Sequence, residues 1–157
     1  MARTTRATRM LDEAGLAYRT VAYAYDADAA SIGRAAAQAI GADPQQVFKT
    51  LMILADGKPA CLIAPSSGEV SMKKAAAALG AKSASMMKPA DAERMTGYKI
   101  GGISPFGQMR TVPVVMDETA ILWDAIFLNG GQRGLQVCIS GEDAARALSA
   151  QLHDICA

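Results

Sequence analysis

Val47-Phe48-Lys49-Thr50-Leu51-Met52-Ile53-Leu54 and Pro59-Ala60-Cys61-Leu62-Ile63-Ala64 stand on either side of an Asp56-Gly57 pair. Two apolar runs of strand length around Asp-Gly read as a β-hairpin, because that pair accepts the positive φ of a tight hairpin turn. Runs this apolar belong in the interior, which makes Lys49 conspicuous. A lysine in a buried strand loses solvation. Either it faces a cavity or a bound anion, or it lies at an edge where its stem carries the ammonium to water.

Outward from the hairpin, strands and helices alternate without regular βαβ repetition. Upstream, apolar Ala7, Met10, Leu11 and Ala14 recur at helical spacing over 4–14, stopped by Gly15. A strand is expected over 16–23, a turn over 26–30 and a helix over 31–40, with Ser31 as N-cap and Gly41 as stop. Downstream, helices are expected over 71–79 and 89–95, the latter with Pro89 in its first turn and Gly97 past its end. Strands are expected over 111–116, 125–129 and 135–139. Ser140 and Asp143 open a last helix in capping-box fashion, and His153 is placed on the helical C-terminal surface. The pattern predicts an α+β fold, a single domain over 1–157 with alanine-rich helices packed on a sheet.

Two glycine-rich segments interrupt this pattern. Residues 97–107, GYKIGGISPFG, hold four glycines and a proline in eleven residues. Such a cluster means positive φ or a backbone that something approaches closely, and a tight turn between elements is the plain alternative. The second segment is Gly130-Gly131-Gln132-Arg133-Gly134, between two strands. Ser71, Lys73 and Lys74 open a helix where an anion could bind, though exposed lysines on a capped helix are ordinary. Arg3, Arg6 and Arg9 form a loose stripe whose usual meaning is a solvated face, with phosphate contact the minority reading.

Composition narrows the function. The 157 residues are 51% hydrophobic and 20% charged, enough for one core, with a net charge of +1. That balance disfavours a general nucleic-acid coat, and any such partner is gripped locally. No apolar run approaches membrane-spanning length and no leader pattern opens the chain, so a cytoplasmic protein without a membrane partner is expected. Three cysteines, Cys61, Cys138 and Cys156, lack C-x-x-C spacing, and one histidine is present. A disulfide framework, a zinc site and a His-dependent triad are therefore not indicated, and neither a metal nor another cofactor is expected.

Phe48-Lys49-Thr50-Leu51, Met72-Lys73-Lys74-Ala75-Ala76, GYKIGGISPFGQ over 97–108 and Gly130-Gly131-Gln132-Arg133-Gly134-Leu135 occur in this order along nearly the whole chain. In order and spacing they resemble the YbaK-type Cys-tRNA(Pro) deacylases, relatives of the editing domain inserted in bacterial prolyl-tRNA synthetases. The resemblance implies a mixed, barrel-like β-sheet flanked by helices. It implies an enzyme that deacylates mischarged Cys-tRNA(Pro) at the 3′ aminoacyl end, with transient docking on prolyl-tRNA synthetase and no DNA partner. It makes Lys49 and Gly101 the catalytic positions. It assigns Tyr23, Ile32, Thr50, Gly102, Ile103, Ser104, Pro105, Asn129, Gly130, Gly131, Arg133 and Gln136 to substrate binding. The chain departs from relatives at Asn129, where they carry serine, at Gln136, where some carry aspartate, and at Ile32, where some carry phenylalanine. These departures bear on amino-acid preference.

No nucleophile set supplied by the protein can be assembled from these residues. The family's implied solution is a substrate that attacks itself, the cysteinyl thiol closing on its own ester carbonyl. Two alternatives stand beside it: a water-dependent deacylase for Ala-, Ser- or Thr-tRNA, and a non-catalytic module that binds tRNA ends or nucleotides.

Overall fold

A computed structural model describes residues 4–157, so Arg3 of the arginine stripe lies outside the described residues. The central hairpin forms as its sequence dictates. Strands β2 (Phe48–Ala55) and β3 (Lys58–Pro65) pair antiparallel, from Phe48 opposite Pro65 to Ala55 opposite Lys58. Asp56 and Gly57 turn between them with φ of 49° and 78°. Asp56 also accepts hydrogen bonds from the Lys82 and Ser83 backbone N–H groups, which brings a short strand, β4 (Ala84–Met86), onto the outer edge of β2. At three residues β4 is too short to show a period.

The sheet order is β4-β2-β3-β5-β8, where β5 is Val114–Asp117 and β8 is Gln151–His153. β3 is central, and its near-continuous burial from Ala60 to Pro65 follows from having helices or strands over both faces. A second sheet, β1-β7-β6, is built from β1 (Tyr18–Ala22), β6 (Ile126–Asn129) and β7 (Leu135–Ile139), all antiparallel. Among the described residues the backbones of the two sheets pair at one parallel bridge, between Val47 and Phe127, so the barrel-like arrangement is two sheets joined at one corner, not a closed ring.

Their shared core holds Phe48, Met52, Cys61 and Ile63 against Ile126, Leu128, Val137 and Ile139, with Ala7 and Leu11 of helix α1 (Arg6–Glu13) at one end. The opposite face of β2 and β3 is covered by α3 (Met72–Ala78) and the C-terminal Ile155. Helix α2 (Ile32–Ile40) lies over Val47 and Phe127 at the corner. It is drawn tight there because Gly33 has no side chain: a Cβ would sit 2.7 Å from that of Ser66. Helices α4 (Pro89–Thr96) and α5 (Gly141–Leu148) complete the fold.

Caps fix the helix ends. Ser31, Ser71 and Ser140 each accept from the backbone N–H three residues on, and Gly41 closes α2 at φ 72°. His153 departs from expectation. Ser149 turns left-handed at φ 50°, ending α5, and residues 151–153 then run as a parallel edge strand on β5. No helix among the described residues is long and apolar enough to cross a membrane.

Candidate active site

The corner between the sheets opens into a cavity of about 410 Å³. Six consecutive residues, Val47 to Met52, line it. Side chains alternate along a strand, so this wall is the edge of β2 and not one face. The edge is available because β4 pairs with β2 only from Ile53 to Ala55. Tyr23, Ile32, Gly101, Ile103, Asn129 and Gln136 complete much of the remaining wall, with Met86, Met87, Pro89 and Ala92 on the α4 side.

Lys49 is half-buried and donates to the Gly68 carbonyl at 2.7 Å. Burial pulls its ammonium below the ordinary lysine value, with nearby Glu69 pulling the other way. The lysine thus faces the cavity, held by a neutral oxygen and in no ion pair among the described residues. A cation so placed is free to meet an anion on the ligand.

The next residue carries a different signal. Thr50 Oγ1 and Gln136 Oε1 are buried without a hydrogen-bond partner, and among the described residues they are the two side-chain oxygen or nitrogen atoms in that state. Both residues line this cavity. An orphaned buried polar group costs about 1–3 kcal/mol, so native structures keep few of them. Gln136 is 4% exposed, and its Nε2 reaches the Tyr23 hydroxyl only at 3.5 Å.

The two glycine-rich segments meet at the rim. Residues 99–102 make a β-turn closed by Gly102 N–H on the Lys99 carbonyl at 2.8 Å, with Gly101 at φ 86° in the position that requires it. Asn129 donates from Nδ2 to the Gly101 carbonyl at 3.1 Å and accepts the Gly131 N–H on Oδ1 at 2.7 Å. Arg133 Nε donates to the Ile100 carbonyl at 2.8 Å, and its guanidinium lies 5.4 Å from the Tyr25 ring centre.

What approaches these glycines is the protein itself. A Cβ on Gly101 would collide with the Tyr25 hydroxyl, one on Gly102 would lie 2.9 Å from Arg133 N, and one on Gly107 would lie 2.5 Å from the Arg6 carbonyl. Arg6 of the stripe is tied to the same segment, its Nε donating to the Gly107 carbonyl at 2.9 Å.

Of the site residues expected from sequence, eight line one cavity: Tyr23, Ile32, Lys49, Thr50, Gly101, Ile103, Asn129 and Gln136. Gly102, Ser104, Pro105, Gly130, Gly131 and Arg133 lie outside its lining and build the frame. Ser104 is fully buried and accepts the Phe106 N–H on Oγ at 3.1 Å, and Gly130 takes the Thr5 hydroxyl on its carbonyl. Neither Cys61 nor Cys156 is an activated nucleophile: burial pushes Cys61 up to about 12, and burial with Asp117 pushes Cys156 up to about 11.

Residues 26–147 match the aminoacyl-tRNA editing domain family. The chain belongs to that family. Editing of aminoacyl-tRNA is therefore its function class. Among curated relatives of this editing domain is EbsC of Enterococcus faecalis, a candidate Cys-tRNA(Pro)/Cys-tRNA(Cys) deacylase. It is 30% identical over 152 residues, covering 96% of this chain and 92% of EbsC. A proline–tRNA ligase of Acidithiobacillus ferrooxidans is 31% identical over 85 residues, which are 54% of this chain and 15% of the ligase. A crystal structure of a candidate trans-editing enzyme for prolyl-tRNA synthetase shares the fold, with TM-score 0.85 and 21% identity over 99% of both chains.

The editing domain also lines its cavity with residues that the sequence does not assign to a site. Ser31, Gly33 and Ala36 of the α2 region, and Met86, Met87, Pro89 and Ala92 around the start of α4, reach the wall. Their types carry no chemical signature, and only tertiary structure, the packing of α2 at the corner and the path of β4 along β2, brings them there.

Proposed function

We propose that this editing domain is a trans-acting deacylase in the cytoplasm. It clears Cys-tRNA(Pro) by binding the 3′ aminoacyl end in the β2-edge cavity. The observation that carries the reading is the placement of two unpartnered buried oxygen atoms, Thr50 Oγ1 and Gln136 Oε1, beside an unpaired lysine in one cavity. Such a set suits a ligand with hydrogen-bond donors at one end and an anion at the other, as an aminoacyl nucleotide has. Lys49 takes the phosphate of the terminal nucleotide, and the polar floor takes the aminoacyl group.

The substrate supplies the nucleophile. The cysteinyl thiolate attacks its own ester carbonyl, a carbon–sulfur bond forms, and the carbon–oxygen bond to the ribose breaks. A cyclic thiolactone leaves, and the ribose oxygen takes up a proton equivalent to the one lost by the thiol. A free thiol near pKa ~8.5 gives a few per cent thiolate at neutral pH, and confinement raises its effective molarity against the carbonyl. Chemistry that needs the thiol rejects alanine and proline, whereas a pocket gains only about 1–3 kcal/mol from one methylene. Prolyl-tRNA synthetase is the proposed transient partner, since a near-neutral surface gives little electrostatic selection of one tRNA.

A second reading, a water-dependent deacylase for Ser-tRNA, is favoured by one feature: two orphan oxygens suit a substrate hydroxyl better than a thiol. A panel of Cys-, Ser-, Ala- and Pro-tRNA, with and without the synthetase, separates the readings. Lys49→Ala is expected to lower Cys-tRNA(Pro) deacylation at least about 100-fold with the fold retained. A folded, fully active Lys49→Ala protein sinks the assignment.

A further inference from the structure

We infer that Asn129 and Arg133 form a clasp that fixes the orientation of the Ile100–Gly101 peptide, and that they serve deacylation as positioning residues rather than by contact with the aminoacyl group. The inference rests on the deacylase reading. The 99–102 turn has two forms related by a flip of its central peptide: one with φ near −90° at the third residue, the other with φ near +80°. Glycine occupies that third position, so both forms are open to it at little steric cost. Gly101 is found at φ 86°.

Two bonds, one from the end of β6 and one from the other glycine loop, select this form. Arg133 Nε holds the Ile100 carbonyl, the oxygen that a flip would swing away, at 2.8 Å. Asn129 Nδ2 holds the following carbonyl, that of Gly101, at 3.1 Å. Each clasp residue is itself restrained. Asn129 Oδ1 is engaged by the Gly131 N–H, and the Arg133 guanidinium lies over Tyr25, whose hydroxyl fills the place of a Cβ on Gly101. In a trans peptide the N–H points opposite to the C=O. Anchoring the Ile100 oxygen to the 130–134 loop therefore turns the Gly101 N–H away from that loop and leaves it to the cavity, whose wall includes both Ile100 and Gly101. There it donates to the ester carbonyl as charge develops on oxygen. Arg133 is exposed and outside the cavity lining, so it acts through the turn.

Single-turnover deacylation with enzyme in excess tests this, using whichever charged tRNA of the panel the wild type hydrolyses. Its saturating rate constant does not change when part of the enzyme is unfolded. Asn129→Asp keeps the acceptor for Gly131 and loses the donor to Gly101, and Arg133→Met keeps the stem over Tyr25 and loses the donor to Ile100. Each is expected to lower the saturating rate constant about 10- to 100-fold, with apparent affinity for the charged tRNA within about threefold of wild type. The double variant is expected to be no slower than about the worse single one, as groups acting as a unit are. A rate constant within about twofold of wild type in Arg133→Met overturns the inference. So does lost affinity at an unchanged rate constant, which would mean direct contact with tRNA. If Asn129→Asp does not fold, the surface variant Arg133→Met decides alone. A wild type inert toward every charged tRNA instead removes the deacylase reading, and this inference with it.

Discussion

Asn129 and Gln136 stand directly opposite each other across β6 and β7, and both line the cavity. Direct cross-strand partners project to one face of a sheet, so these two polar residues form one unit of wall. Their amides are used differently. Asn129 is bonded through both its nitrogen and its oxygen to the glycine loops, whereas the oxygen of Gln136 has no partner. The asparagine is spent on the frame, and the glutamine keeps an unused acceptor on the cavity wall.

That division makes the free protein less stable than it could be. Thr50→Val replaces a buried, unpartnered hydroxyl with a methyl of nearly the same shape. Removing an unsatisfied polar group is expected to stabilise the unliganded chain by about 1 kcal/mol, or about 2–4 °C in Tm for a domain of this size. Under the proposed function, in which the hydroxyl serves the ligand, the same substitution is expected to slow deacylation. Thermal melting beside the deacylation assay checks both signs, and a destabilised Thr50→Val protein would show that the hydroxyl has a partner within the fold.

Gly101→Ala tests why the glycine is there. The added Cβ meets the Tyr25 hydroxyl, and φ 86° strains any non-glycine residue. A destabilisation of about 2–3 kcal/mol is expected, of which about 1–2 kcal/mol is backbone strain that no second change removes. Tyr25→Ala should recover the steric part. In a double-mutant cycle by urea unfolding, Gly101→Ala is therefore expected to cost at least about 1 kcal/mol less in the Tyr25→Ala background. Additive effects would mean that Tyr25 yields freely, and that the turn demands glycine for its φ alone.

Much of this was legible because local chemistry and tertiary structure agree. The Asp56-Gly57 hairpin, the serine caps and the strand at 135–139 follow from turn residues, side-chain acceptors and apolar runs that need no distant partner. Lys49 stood out because a charge in a buried strand is costly wherever the strand goes. What was not legible depends on distant pairing. β4 and β8 are three residues each, and a pattern that short carries no period, so the sequence alone extends a helix to His153 past the point where Ser149 ends it. The glycine segment has both the positive φ and the close approach that its composition implies, but what approaches, Tyr25, Arg6 and the 130–134 loop, is remote in sequence. No property of Arg133 as a residue type says that it will hold the Ile100 carbonyl.

Tyr98 supplies a pH-dependent test of the segment's anchoring. Its ring is 5% exposed and its hydroxyl donates to the Phe106 carbonyl, spanning the glycine segment from one end to the other. Burial pushes its pKa from 10.0 up to about 12, with the Arg6 guanidinium acting in the opposite direction. A raised folded-state pKa stabilises the fold fully below the unfolded value, and that contribution fades as pH rises through the folded value. Wild type should therefore exceed Tyr98→Phe in stability by about 1–2 kcal/mol at pH 8, the cost of leaving the Phe106 carbonyl unpaired. Between pH 10 and pH 12 the gap should close, because the unfolded phenol ionises before the folded one. Urea unfolding of both proteins at pH 8, 10 and 11 gives the comparison. A gap that stays constant across that range would mean the Tyr98 hydroxyl titrates alike in the folded and unfolded chains, and that its bond to Phe106 does not hold the segment.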